Sequence, residues 1–132
     1  MNRPAYALIV SGLLITVESA SATEPFMSAK FHDLSDTQFS ITAVSPGDRI
    51  REYVICKGIW FAEAKGVRTV SFGNPVYAEP EKSRVPPQQV PEDWVQVSTT
   101  VYLENAPNPT GNPTQSVAEW ARTCRQAWDW YQ

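Results

Sequence analysis

The two cysteines, Cys56 and Cys124, are the residues of this chain whose chemistry depends most on its compartment. They stand about half the chain apart, without the C-x-x-C spacing of a redox-active pair. In an oxidising compartment such a pair forms a stable bridge, whereas in the cytosol it stays reduced. The alternative is two buried free thiols that act as small apolar residues. We predict a structural disulfide.

The first 22 residues predict that compartment. Arg3 supplies a positive start, residues 5–17 form a mostly apolar run, and Ala20-Ser21-Ala22 has the small-x-small pattern of a signal-peptidase site. The run is too short to cross the roughly 30 Å hydrocarbon layer as a helix. We therefore expect a signal peptide over residues 1–22, cleaved after Ala22. The remaining residues, 23–132, form one periplasmic or secreted domain in this interpretation.

Groups able to catalyse a reaction or bind a metal are scarce. His32 is the only histidine, next to Asp33, and one histidine does not make a zinc site without further ligands. The segment "DLSDTQ" lacks the glycine and final glutamate of a calcium loop, and no G-x-S-x-G motif occurs. The carboxylate pairs in residues 79–93 indicate solvated surface. We predict a surface histidine, no catalytic, metal or cofactor-binding residue, and no enzyme.

Five tryptophans make the aromatic side chains the more informative class. In the C-terminal "WARTCRQAWDWYQ", Trp120 and Trp128 fall on a helical stripe with core character, and Trp130 points away from it. An outward tryptophan suits a partner surface, and a frayed chain end is the alternative. Trp60, Trp94 and Tyr102 are candidates for a small-molecule groove. Core packing is the simpler explanation for the first two.

Hydrophobic patterns predict the elements that position these residues. "FSITAV", residues 39–44, predicts a strand, and Ser45-Pro46 is typical of a helix start. The helix over residues 45–65 ends at Gly66, and it places Trp60 on its apolar stripe. Ile55 and Ile59 fall on the other side. The helix is therefore either buried on two faces or it offers an apolar patch to a partner.

The rest of the chain alternates strands and loops. Residues 67–72 and 94–104 predict strands, the latter by a strict alternation of faces. Residues 75–80 are restricted to a sheet edge by two prolines. Proline-rich loops are predicted over residues 79–93 and 105–115, and a partly ordered lead-in over 23–38. Ser116 opens a last helix, with Cys124 on its apolar stripe.

These elements predict an α+β fold, a small three- to four-stranded sheet with two helices packed on one face. A long helix between the first two strands favours a parallel, right-handed crossover, and the third strand then pairs antiparallel. Because Cys56 and Cys124 lie on the two helices, the disulfide joins them.

Residues 39–72, "FSITAVSPGDRIREYVICKGIWFAEAKGVRTVSF", resemble a family of small bacterial envelope proteins and lipoproteins of unknown function. Their shared unit is a strand, a long alanine-rich helix, a glycine and a second strand. Tyr53, Ala62, Lys65 and Gly66 match that unit. Lys57 stands where the family has an arginine, and the acidic residue that follows it there is missing. The resemblance implies an envelope location and an α+β fold, and it implies no activity.

The net charge of the chain limits the kinds of partner that it can bind. The chain has 11 basic and 14 acidic residues, and its net charge of −3 argues against a nucleic-acid or anionic-membrane surface. Our leading hypothesis is a non-enzymatic envelope protein that acts as a protein-interaction or assembly module. A periplasmic binder of a small apolar or aromatic ligand is the alternative, and an uncharacterised hydrolase is third.

Overall fold

The structure is a computed structural model that describes residues 27–80 and 91–131. The predicted signal peptide and most of the first proline-rich loop lie outside the described residues. Within them the chain has six strands and two α-helices. The predicted α+β fold class is confirmed. The elements are β1 (Ser28–Ser35), β2 (Gln38–Pro46), α1 (Ile50–Ala64), β3 (Thr69–Phe72), β4 (Val76–Ala78), β5 (Trp94–Leu103), β6 (Gln115–Ser116) and α2 (Val117–Ala127). A 3₁₀ turn, Asp129–Tyr131, follows.

The sheet has the order β1-β2-β5-β3-β6, and β4 pairs with β5 beyond the end of β3. The prediction of three to four strands was an undercount. β1 lies in the segment predicted as a lead-in, and it pairs with β2 from Ser28 opposite Val44 to Ser35 opposite Gln38. Its pattern was weak because the apolar positions on its covered face are only Ala29 and Phe31, both half-buried. The alternation then stops, since Asp33 takes the next position on that face and Leu34 on the other face is 49% exposed.

Strand direction follows from the order of the strands in the sheet. Every adjacent pair of strands in the described residues is antiparallel. β2 and β3 run in the same direction, as the predicted parallel crossover requires, but they are not neighbours because β5 lies between them. The antiparallel pairing predicted for residues 94–104 is confirmed. β5 separates the two strands because it pairs with β2 over nine residues, from Trp94 to Tyr102.

Helix α1 begins later than predicted and ends as predicted. Ser45 and Pro46 complete β2, where Ser45 is fully buried and pairs with Val95. The helix begins at Ile50, and its N-cap residue Arg49 makes no side-chain cap hydrogen bond. Cross-strand pairing and burial of Ser45 therefore outweigh its capping preference. Gly66 has φ of +80°, the left-handed conformation expected of a glycine stop.

α1 lies across the apolar face of the sheet. Phe39, Ile41 and Val101 are fully buried beneath it, as is Ile59 on the helix itself. Ile59 therefore offers no surface patch, and burial on two sides is the alternative that the structure supports. Trp60 was expected in the core stripe, and this was wrong because 40% of it is exposed. No helix of the described residues has the length and apolar character needed to span a membrane.

The disulfide joins the two helices. Cys56 of α1 and Cys124 of α2 are bonded, with their Cα atoms 5.6 Å apart. Both are buried, with 2% and 0% of their surface exposed. Ser116 caps α2 by accepting the backbone N–H of Glu119 at 3.3 Å, as predicted. The predicted structural bridge is confirmed, and it is consistent with an oxidising compartment.

Removing this bridge should destabilise the protein strongly. We expect the double variant Cys56→Ala/Cys124→Ala to lose about 3–4 kcal/mol of unfolding free energy, since the bridge closes a long loop of the unfolded chain. Urea unfolding of the oxidised wild type and the variant measures the difference. A reductant should destabilise the wild type and leave the variant unchanged. Equal stability of the two proteins would contradict a stabilising bridge.

Candidate functional site

The structure does not assemble the polar groups considered for catalysis. His32 is exposed on β1 and faces Ser40 across the β1–β2 pair. Asp33, its neighbour, points to the other face of the strand and forms an ion pair with Lys65 at 3.0 Å. Histidine and carboxylate therefore do not form a dyad. The described residues also contain no group of three or more metal-ligating side chains.

The three aromatic residues predicted to line one groove are far apart. Trp94 and Tyr102 lie at opposite ends of β5 on the face turned away from α1, about 27 Å apart at the usual rise per residue. Trp60 lies on α1, on the opposite side of the sheet. Its nearest ring contact is Phe31, with 6.0 Å between ring centroids. The structure thus brings none of these three residues together.

Trp130 does not point outward as predicted. The 3₁₀ turn returns the C-terminal chain to α1, where Trp130 is half-buried against Tyr53, Trp128 and Tyr131, at centroid distances of 5.5–5.8 Å. Lys57 places its Nζ 4.1 Å from the centre of the Trp130 ring. Helical projection placed Trp130 outward, but α2 ends at Ala127 and the projection no longer applies beyond it.

We call Tyr53, Trp128, Trp130 and Tyr131 the C-terminal aromatic cluster. The pKa values of several groups in and beside it are shifted. Burial raises the pKa of Tyr53 to about 12 and lowers the pKa of the Lys57 ammonium. Tyr131 donates its hydroxyl to Glu63 at 3.0 Å, and burial together with this carboxylate raises the pKa of Tyr131 above its usual range. Arg125 donates to the other oxygen of Glu63 at 2.8 Å. These contacts fasten α2, through Arg125, and the C-terminal turn, through Tyr131, to α1, which is a structural role.

A groove lies on a different part of the surface, between α1, β4 and the segment 112–120. We call it the α1–β4 groove; its volume is about 450 Å³. Its lining is aromatic and aliphatic on the walls and polar at the floor and rim. The lining residues are Arg51, Val54, Ile55, Phe72, Gly73, Pro75, Tyr77, Thr99, Asn112, Pro113, Gln115 and Trp120.

The floor of the α1–β4 groove follows from strand pairing. β3 and β4 pair in succession with the same edge of β5, and the chain between them leaves that edge after Gly73. Gly73 donates its N–H to the Thr100 carbonyl at 2.7 Å, and Thr99 donates its hydroxyl to the Gly73 carbonyl at 2.9 Å. A Cβ at Gly73 would lie 3.3 Å from the Thr100 oxygen. The glycine permits this close approach.

Hydrogen bonds hold the walls. Trp120 donates its indole N–H to Gln115 at 2.8 Å, which orients the ring. Asn112 donates to the Phe72 carbonyl at 2.8 Å and fixes the loop beside β3. Tyr77 is 57% exposed at the open side. These side chains form a concave wall whose polar groups are largely satisfied within the protein.

Among the described residues, the charge at the rim of the groove is positive. Arg51 is exposed, it is the charged side chain of the described lining, and it makes no ion pair within the part of the chain that the structure describes. The α1–β4 groove can therefore bind an apolar or aromatic group through its walls and attract a negative charge at its rim.

Sequence reasoning found one residue of this groove and missed the others. Ile55, predicted as a surface candidate, lines the groove and is half-buried. Trp120 was assigned to the core. The signal for Tyr77 was present in "PVYAEP", where a large aromatic residue stands in an edge strand between two prolines. Arg51 had no signal, because only the fold brings it beside β4.

Comparison with known proteins gives no relative: the chain matches no protein-family model, no curated protein and no solved structure.

The buried phenol of Tyr53 predicts how the stability of the protein changes at alkaline pH. The pKa of Tyr53 is raised on folding, so the unfolded chain loses its phenol proton near pH 10 while the folded chain keeps it to about pH 12. Stability due to Tyr53 is full below pH 10 and falls between pH 10 and 12, by up to roughly 1.4 kcal/mol per pH unit. Urea unfolding at pH 9 and 11 should show a shallower loss for Tyr53→Phe than for wild type. Identical slopes would contradict the assignment; Tyr77→Phe is the exposed control.

Another prediction concerns the groove wall. A Cβ at Gly58 of α1 would lie 2.8 Å from the ring of Phe72, which forms part of that wall. Gly58→Ala should therefore displace the ring. The overpacking cost exceeds the gain in helix propensity by about 1 kcal/mol. Urea unfolding measures the loss, and a crystal structure of the variant locates the ring. An unchanged Phe72 with unchanged stability would contradict the close packing described here.

Proposed function

We propose that this protein is an exported binding protein, without catalytic activity, that takes up an apolar or aromatic group in the α1–β4 groove. The proposal includes cleavage of the leader after Ala22 and release into the periplasm or the medium. The observation that carries it is the groove itself, with Ile55, Phe72 and Trp120 as walls and the Arg51 guanidinium, which has no ion pair among the described residues, beside them.

The dimensions of the groove support this proposal. Its volume of about 450 Å³ falls in the usual range for small-molecule sites, about 300–1,000 Å³. The positions of its walls are fixed in the free protein. Trp120 is hydrogen-bonded to Gln115, and the disulfide joins the two helices. Preformed walls reduce the ordering cost of binding.

Protein interaction, our leading hypothesis from the sequence, is compatible with the same groove, because a partner protein can supply the apolar or aromatic group, and β4 favours it. Val76 and Tyr77 of this short strand are 66% and 57% exposed. The surfaces first considered are less suitable, because Ile59 is fully buried and Trp130 is half-buried. No grouping of catalytic side chains among the described residues supports the hydrolase alternative.

Binding of an aromatic fluorescent dye, anilinonaphthalene sulfonate, tests the proposed function. We expect saturable binding to the folded chain, weakened about five- to tenfold by Ile55→Ser, which removes apolar wall area. Val44→Ser is the matched control, since Val44 is half-buried on the opposite face of the sheet. Equal binding by both variants, or no binding to the wild type, would refute the groove as the site.

A further inference from the structure

We propose that the natural occupant of the α1–β4 groove is an extended polypeptide segment. It adds as a strand to the outer edge of β4, places an apolar side chain in the groove and sets a carboxylate against Arg51. This inference rests on the proposed function and names the ligand class of the same site.

The outer edge of β4 is the first observation. β4 pairs with β5 through three residues, Val76 opposite Ser98, Tyr77 opposite Val97 and Ala78 opposite Gln96. The neighbouring strand on the same edge of β5 is β3, and β3 has a partner, β6, on its outer side. β4 has none among the described residues. Its outward N–H and C=O groups are therefore a template for an added strand.

The groove lies on the side where an added strand would direct its side chains. Successive residues of a strand point to opposite faces. Tyr77 points to the α1 side and lines the groove, while Val76 and Ala78 point to the other face. Every second residue of a segment paired with β4 would therefore enter the space between Ile55 and Trp120. Three paired residues extend about 10 Å.

Charge specifies the third feature of the segment. The described lining holds one cation, Arg51, and no carboxylate. An arginine with no ion pair in the described chain attracts an acidic group, and its planar guanidinium suits a carboxylate. The carboxylate comes either from the C-terminus of the segment or from an aspartate or glutamate side chain.

Synthetic peptides test the inference on the oxidised mature chain. The first is an acetylated hexapeptide of alternating threonine and phenylalanine with a free C-terminal carboxylate. A second has a C-terminal amide, a third has that amide and an internal glutamate, and a fourth has the free carboxylate with alternate backbone nitrogens methylated. Isothermal titration should show binding of the free acid and a two- to fivefold weaker affinity for the plain amide, about the strength of an exposed ion pair.

The other peptides separate the contributions. Full affinity of the glutamate peptide assigns the carboxylate to a side chain, and full affinity of the free acid alone assigns it to a C-terminus; either result supports the carboxylate contact. Methylation on the edge facing β4 should abolish binding, because it removes the strand hydrogen bonds. Unchanged binding of the methylated peptide would overturn strand addition.

Variants locate the charge. In Arg51→Gln the free acid and the amide should bind equally, whereas Arg122→Gln, an exposed arginine of α2 outside the groove, should keep the difference. A difference retained in Arg51→Gln would overturn the assigned contact. Circular dichroism of both variants should match the wild type.

The dye experiment distinguishes failure of this inference from failure of the proposed function. Dye binding in the groove without binding of any peptide at millimolar concentration would overturn the polypeptide ligand and leave the proposed function standing. Failure of both probes would overturn both. A concentration-dependent dimer in sedimentation that the dye dissociates would assign the groove to a second copy of the chain, and that too would overturn the inference.

Discussion

Pairing of β5 along both of its edges is the constraint on which the rest of the structure depends. On one edge it pairs with β2 through nine residues. On the other edge two short strands share its length, β3 at Val101–Leu103 and β4 at Gln96–Ser98. The chain between them must leave the ladder at Gly73, and the recess that results is the floor of the α1–β4 groove. A single continuous strand in their place would leave no recess there.

The walls of the groove depend on how the two helices pack against the sheet and against each other. α1 approaches the sheet closely at Gly58, whose position leaves room for the Phe72 ring. α2 is held against α1 by the Cys56–Cys124 bridge, and its first turn places Trp120 in the wall of the groove. Glu63 of α1 makes a separate attachment, because it accepts hydrogen bonds from Arg125 of α2 and from Tyr131 of the C-terminal turn. Most of the aromatic side chains near the C-terminus therefore stabilise the helix pair, and the groove takes one of them.

Sequence patterns predicted the elements with strong periodicity and the disulfide between the two helices. β5 alternated faces over its whole length, Gly66 ended α1, and Cys56 and Cys124 fell on helices that meet. The patterns missed β1, whose alternation is broken by Asp33 on its covered face, and misplaced Ser45, where pairing in β2 outweighs helix capping. The groove was out of reach for a physical reason. Arg51, Phe72, Tyr77 and Trp120 come from four elements, and only the order of strands around β5 places them together.

Mapping of backbone amide chemical shifts tests the central claim, that the α1–β4 groove is the binding site of this protein. The measurement is a titration of the isotope-labelled, oxidised chain with the aromatic dye. The account predicts that the largest shift changes cluster at Ile55, Phe72, Tyr77 and Trp120. Changes concentrated instead on the open sheet face, around Ser40, Thr42 and Ser98, would place binding on the other side of the sheet and contradict the account.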